Sequence, residues 1–199
     1  MVALRIDSRA LAALATRFGR LHGDGRLHRA ITEGLREGGD KTRTAVRRAL
    51  VQQTGVKAYK SITSRTRSFT EDGGLRYVIV GTGKGMPIKE FSTKGTRGPG
   101  GGVTSNPWSV QHKFKRSFVG RGKLAGRLLA RLPGPGRKTI YVPGGMYGVR
   151  PIKVGNLRSL YGPSVAKEIV KDQSASAFFH GAETFVLDRI IVRVGRALG

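Results

Sequence analysis

Gly81-Thr82-Gly83-Lys84-Gly85 is the stretch of this 199-residue chain whose residue types come nearest to a ligand-binding motif. Backbone amides in such a glycine loop can cradle a phosphate, and Lys84 would add charge. The spacing does not fit. A nucleotide P-loop needs four residues between its glycines and a hydroxyl residue after the lysine, whereas Gly85-Met86-Pro87 follows here. A dinucleotide fingerprint opens a helix, which Pro87-Ile88-Lys89-Glu90-Phe91 does not offer, so the stretch reads as a turn between strands. His22, His28, His112 and His180 are scattered with no two at i,i+4, so they imply no metal pair. Glu33 and Glu37 share a helix face, but Lys41 and the surrounding arginines make it a solvated charged face rather than an acid/base pair. Twelve acidic residues leave little material for two-metal nuclease chemistry, which needs clustered carboxylates. The absence of cysteine removes thiol nucleophiles, disulfides and thiolate metal sites. The expectation is a protein with no catalytic residues, no bound metal and no cofactor.

Charge is the strongest global signal. With 37 basic and 12 acidic residues the chain carries +25, an excess that suits work beside a polyanion or an acidic partner, because an isolated globule would repel itself. Most of the excess lies in residues 55–138. There, Thr93 to Gly102 holds Lys94 and Arg97 in a glycine-rich loop with nothing to bury. A basic arm follows, made of Arg121, Lys123, Arg127, Arg131, Arg137 and Lys138, with no acidic residue among them. Leu124, Leu128, Leu129 and Leu132 fit either a short amphipathic helix or a long hairpin loop. These eight basic residues are the candidates for facing DNA or a partner. Phe114, Phe118 and Trp108 could stack on bases, but strand-core roles suit them better, and no sequence-specific DNA-binding signature is present. Nothing resembles a signal peptide or a membrane span, so the expected place of synthesis is the cytoplasm, with no membrane partner.

The elements that must position these residues follow from periodicity. Asp7 or Ser8 can cap a first helix over 8–21. A second helix over 26–53 places Leu27, Ile31, Leu35, Thr42, Val46 and Leu50 on one stripe, with Arg29, Arg36, Arg43 and Arg47 opposite. Glu37 and Lys41 form a favourable i,i+4 pair. Gly38-Gly39 inside it costs about 1 kcal/mol per glycine relative to alanine, so the pair marks a kink or the close approach of another backbone. Gly55 is placed to end the helix. Strands are expected at Leu75–Val80, Ile88–Phe91, Val103–Val110, Phe114–Val119 and Thr139–Val142. A C-terminal helix over 176–198 carries a broad apolar stripe, with Phe178, Phe179, Phe185 and Ile190 as subunit-packing candidates. The fold class is α+β: an antiparallel β-sheet packed by N-terminal helices and a long C-terminal helix, with extended glycine-rich basic loops.

Between the basic region and the last helix lies Arg150-Pro151-Ile152-Lys153, then Leu157-Arg158-Ser159-Leu160-Tyr161-Gly162-Pro163-Ser164-Val165. It reads as a hinge into a helix. Pro163 pushes Gly162 out of the α region, Ser164 can cap the helix, and Leu157, Leu160 and Tyr161 recur at helical spacing. An "x-P-I-x … L-Y-G-P-S-V" segment near the C-terminus resembles the phage minor tail protein Z, or tail completion, family. The resemblance extends more loosely to Gln53-Thr54-Gly55-Val56-Lys57 and Met86-Pro87-Ile88-Lys89-Glu90-Phe91. It implies a structural virion protein of a tailed bacteriophage, a head-tail connector subunit in the neck. It also implies a ring of six copies around the DNA channel, touching a tail terminator or tail tube protein and head-side connector proteins. On this view residues 1–199 form one tail-completion domain: helical over 1–55, β-rich with basic loops over 56–155, and a hinge with C-terminal helix over 156–199. Leu160, Tyr161, Gly162, Pro163 and Ser164 would be the assembly hinge. The other function class that the composition allows is a free, non-specific, non-enzymatic DNA-binding protein.

Overall fold

The computed structural model describes residues 2–9, 25–95, 102–115, 117–120, 128–131, 138–143, 149–154 and 157–198. The chain is α+β, with helices and several antiparallel sheets. It divides into two compact units. The first comprises Met1–Gln53, Tyr59–Lys84 and Ser164–Gly199; the second comprises Thr54–Ala58 and Gly85–Pro163. The expected helix over 8–21 falls almost wholly outside the described residues, although the Asp7 carboxylate accepts the Arg9 amide at 2.9 Å, as a capping aspartate would.

In the first unit the periodic stripe becomes helix α1, Arg26–Thr54. Ile31, Leu35, Val46 and Leu50 are buried, and Thr42 beside them donates its hydroxyl to the Gly38 carbonyl at 2.9 Å. Gly55 terminates the helix at φ +71°, the left-handed position expected of it. The arginine face is divided. Arg29 and Arg36 are exposed, whereas Arg43 donates to Ser68 Oγ at 2.7 Å and Arg47 to the Thr66 hydroxyl and carbonyl at 2.7 and 2.9 Å.

Thr66 and Ser68 belong to a three-stranded antiparallel sheet made of β1 (Val2–Asp7), β2 (Thr66–Glu71) and β3 (Arg76–Gly81), in the order β1-β3-β2. The central strand is buried from Tyr77 to Gly81, as a strand covered on both faces must be. Tyr77 donates to Asp40 at 2.6 Å, and burial together with this bond pushes its phenol up to about 12. Helix α2 (Tyr59–Thr63) buries Ile62. Helix α3 (Val165–Glu168) lies against the turn after β3, where Ala166 donates its amide to the Thr82 carbonyl.

The C-terminal helix starts four residues before its expected position. It runs as α4 (Asp172–Gly181), a π-helical turn (Ala182–Val186) and α5 (Leu187–Leu198). Its contact with α1 explains the glycines. A Cβ on Gly34 would stand 2.8 Å from Ile190 Cα, and one on Gly38 would stand 2.5 Å from Val186 Cα. The hypothetical Cβ of Gly181 would meet the Thr42 side chain at 2.8 Å. Four-residue steps on α1 (Gly34, Gly38, Thr42) thus face a four-residue and a five-residue step (Ile190, Val186, Gly181). The π turn supplies the odd residue, since it winds more residues into one turn than an α-helix does. Gly39 serves the other side of α1, where a Cβ would touch the Tyr77 ring at 2.6 Å. Close approach, rather than a kink, is therefore what the pair provides.

Two polar ties join the same helices. Gln53 Nε2 donates to Glu168 Oε2 and to the Glu168 carbonyl, both at 3.1 Å, while its Oε1 accepts from the Ser174 amide and hydroxyl at 3.1 and 3.0 Å. This pairs the polar groups of a buried glutamate, as burial requires. Nearer the chain end, Arg193 reaches Glu33 at 3.1 Å and also pairs with Glu37. Glu37 thus meets Arg193 instead of its expected partner Lys41, and the guanidinium holds its carboxyl below the usual carboxylate range. A carboxyl depressed in the folded state contributes stability above its unfolded pKa, and that contribution is lost as pH falls through the folded value. Wild-type protein should therefore lose part of its thermal stability on acidification from about pH 5 to pH 3, where unperturbed glutamates titrate. Arg193→Met should flatten that dependence, and melting curves across the range, followed by circular dichroism, check it.

The second unit is built of short strands. Gly85–Pro87 (β4) pairs with Tyr161–Ser164 (β13). Thr93–Gly95 (β5), Val103–Ser105 (β6) and His112–Phe114 (β7) form one sheet. Ser117–Val119 (β8), Leu128–Arg131 (β9) and Leu157–Ser159 (β12) form another, and Lys138–Pro143 (β10) pairs with Val149–Val154 (β11). Among the described residues the single expected sheet is thus divided into five across the two units. Met86, Ile88, Phe91, Val103 and Leu129 are buried here.

Several expected elements change type. Ile88–Glu90 is a 3-10 turn, because Pro87 sets its entry and the run is too short to hold a ladder. The Val103–Val110 strand stops at Ser105, where Pro107 starts another 3-10 turn. The expected Phe114–Val119 strand is broken by a turn at Lys115, with Phe114 at the end of β7 and Ser117–Val119 forming β8. Leu128–Arg131, which the sequence leaves open between a short helix and a hairpin loop, is a strand, and Arg150–Lys153 lies within β11 rather than in a hinge.

Candidate functional site

The Gly81–Gly85 stretch is a turn between β3 and β4, as its spacing predicts. Its backbone is already engaged: the Thr82 amide donates to the Arg65 carbonyl, and the carbonyls of Thr82 and Gly83 accept from Ala166 N and Ser164 Oγ. The amide at Thr82 is therefore committed within the fold rather than free to cradle a phosphate. Among the described residues no three His, Asp or Glu side chains come together as a metal-holding group. His28 and His180 are exposed, and His112 is exposed with its ring edge against Trp108.

Leu160–Ser164 forms strand β13 and its approach, not the helical pin that its spacing suggests. The Leu160 carbonyl accepts the Ile88 amide at 3.2 Å, Pro163 is buried, and Tyr161 is 62% exposed. Gly162 is a point of close approach: a Cβ there would stand 2.8 Å from the ring of Phe91, itself fully buried. Ser164 occupies the position before α3 with extended backbone, but its hydroxyl donates to the Gly83 carbonyl at 3.0 Å instead of capping that helix. The last of the four places where the chain passes from one unit to the other falls between Pro163 and Ser164.

The four subunit-packing candidates separate. Phe178 and Ile190 are buried and Phe185 is half-buried, so these belong wholly or partly to the core of the first unit. Phe179 is 61% exposed. Leu187 and Ile191, at 46% and 66%, join it as exposed apolar residues on the same continuous helix. At about 100° per residue, Phe179 and Leu187 would diverge by about 80° on a regular α-helix. The wider π turn between them brings the two toward one line.

Of the basic candidates, Lys94 is exposed on β5. Arg131 and Lys138 lie on β9 and β10, and Arg97, Arg121, Lys123, Arg127 and Arg137 fall outside the described residues. The partition into units sharpens the charge picture. Thr54–Ala58 with Gly85–Pro163 holds sixteen Lys and Arg against one acidic residue, Glu90, a net +15. Lys113 was missed by sequence reasoning, since only cross-strand register places it beside Lys94. Trp108 is 45% exposed in the turn after β6, not in a strand core.

No family model, curated protein or solved structure matches the chain.

Proposed function

We propose that this protein is a structural subunit of a tailed-phage neck, a tail completion or head-tail connector protein that assembles as a ring, and not an enzyme. The exposed apolar row of Phe179, Leu187 and Ile191 is the observation that supports this most. It lies on a helix whose opposite face already completes the core of its own unit, so it is surplus to the folding of one chain. The Leu160–Val165 segment adds the resemblance to minor tail protein Z. In a closed ring such contacts are heterologous, one patch meeting a different patch on the next copy. Glu183 and Asp188, both exposed beside the row, would complement the basic second unit of a neighbouring copy.

Purified protein should run as a concentration-dependent oligomer by light scattering and as a ring, six-fold on this reading, by electron microscopy. Leu187→Glu with Ile191→Glu should leave it monomeric with its far-ultraviolet spectrum and melting temperature intact. A wild-type chain that stays monomeric at every accessible concentration, or turns over a small molecule, would overturn the proposal.

A further inference from the structure

We propose that the open face of the β5-β6-β7 sheet is a binding face for the phosphate backbone of duplex nucleic acid, centred on Lys94, Thr104 and Lys113. The register pairs Lys94 with Thr104 and Thr104 with Lys113, so the three side chains form one row on one face. The other face is turned inward: Val103 and Ser105 are buried, Thr93 bonds Ser105 at 3.1 Å, and the Val103 amide donates to Ser117 Oγ. On the outward row Lys94 and Lys113 are exposed and Thr104 is half-exposed. Neither lysine makes an ion pair among the described residues. Two strand spacings set them about 10 Å apart, far enough to engage separate phosphates.

The surroundings decide the kind of partner. With one acidic residue against sixteen basic ones in this unit, an approaching polyanion meets almost no repulsion. Lysine and threonine are among the usual phosphate contacts, whereas lysine is depleted in protein–protein interfaces. The row carries no aromatic ring for stacking on unpaired bases and no arginine fork for reading a guanine edge. The predicted mode is therefore sequence-independent binding to duplex backbone. The inference concerns a different surface from the apolar row and holds whether or not the chain forms a ring.

The test is fluorescence anisotropy of the full-length protein with a labelled mixed-sequence duplex, over a salt series from about 50 to 200 mM. Lys94→Gln with Lys113→Gln should lower the slope of log K against log salt by about 1.8. It should weaken binding roughly 60-fold near 0.1 M, the effect of losing two phosphate contacts. Lys167→Gln with Lys171→Gln, the same charge change on exposed positions of the first unit, should leave both values unchanged. Equal losses in the two pairs would reduce the effect to net charge and overturn the site. So would a wild-type chain that ignores duplex at the lowest salt. A Lys94/Lys113 variant that keeps duplex affinity but loses retention on immobilised polyglutamate would assign the face to an acidic protein instead. Light scattering on the same samples reads assembly separately, so failure of this inference and failure of the ring are distinguishable.

Discussion

Gly38→Val should remove about 3 kcal/mol or more of folding stability, read as a loss of denaturant midpoint or of a cooperative transition altogether. Alanine at a helix-interior glycine ordinarily gains about 1 kcal/mol from propensity. Here the added Cβ would lie 2.5 Å from Val186 Cα and 2.8 Å from the Phe185 carbonyl oxygen. Both neighbours are backbone, so neither can swing aside, and the two helices must separate. Overpacking in tight interiors typically costs 1–3 kcal/mol, and valine adds two further methyl groups at the same point. A domain with a total stability of about 5–15 kcal/mol has little to spare for this. Gly195→Ala is the control: that glycine is helical with no neighbour within 4 Å, so the substitution should stabilise by about 1 kcal/mol. Should Gly38→Ala stabilise as Gly195→Ala does, the close helix crossing is wrong.

Gly162→Val should cost roughly 1–3 kcal/mol and prevent oligomer formation. The new side chain would enter the space of Phe91, whose ring lies 2.8 and 3.1 Å from the hypothetical Cβ, with Ile88 at 3.4 Å. Phe91 and Ile88 are buried, so the ring has no free volume into which to turn. Phe91→Leu makes room. A double-mutant cycle between Gly162→Val and Phe91→Leu should show a favourable coupling of about 0.5–3 kcal/mol, because the two side chains share one space. Additive costs would show that Gly162 does not rest on Phe91. A Gly162→Val chain that forms the wild-type oligomer would remove the Leu160–Ser164 segment from assembly.

Local periodicity made the long helix legible. Its stripe, its Gly38-Gly39 pair and its Gly55 terminator all stand where 3.6-residue spacing and backbone freedom put them. Strand β1 was hidden because Val2, Leu4 and Ile6 alternate with charge over only a few residues, and its pairing partner lies some seventy positions away. Ile88–Glu90 was misassigned and Leu128–Arg131 stayed open between a helix and a hairpin loop for the same reason: short apolar runs carry no period, and tertiary pairing decides them. The π turn left no trace because the apolar stripe of the C-terminal segment is broad enough to hide a one-residue change of phase. For the candidate surfaces, charge density pointed to the stretch that holds the proposed lysine row. Which lysines align depends on register, and register is a property of paired strands rather than of either strand alone.

The five-residue step between Gly181 and Val186 makes this turn the one place where the C-terminal helix can shorten by a residue and keep its face. Losing one codon there would leave an ordinary four-residue step, and the residues now at Val186 and Ile190 would still reach Gly38 and Gly34. Phe179 would then stand seven residues before Leu187, within about 20° of it on a regular α-helix. A deletion elsewhere along the helix would turn everything beyond it by about 100°, so changes in its length should be confined to residues 182–186.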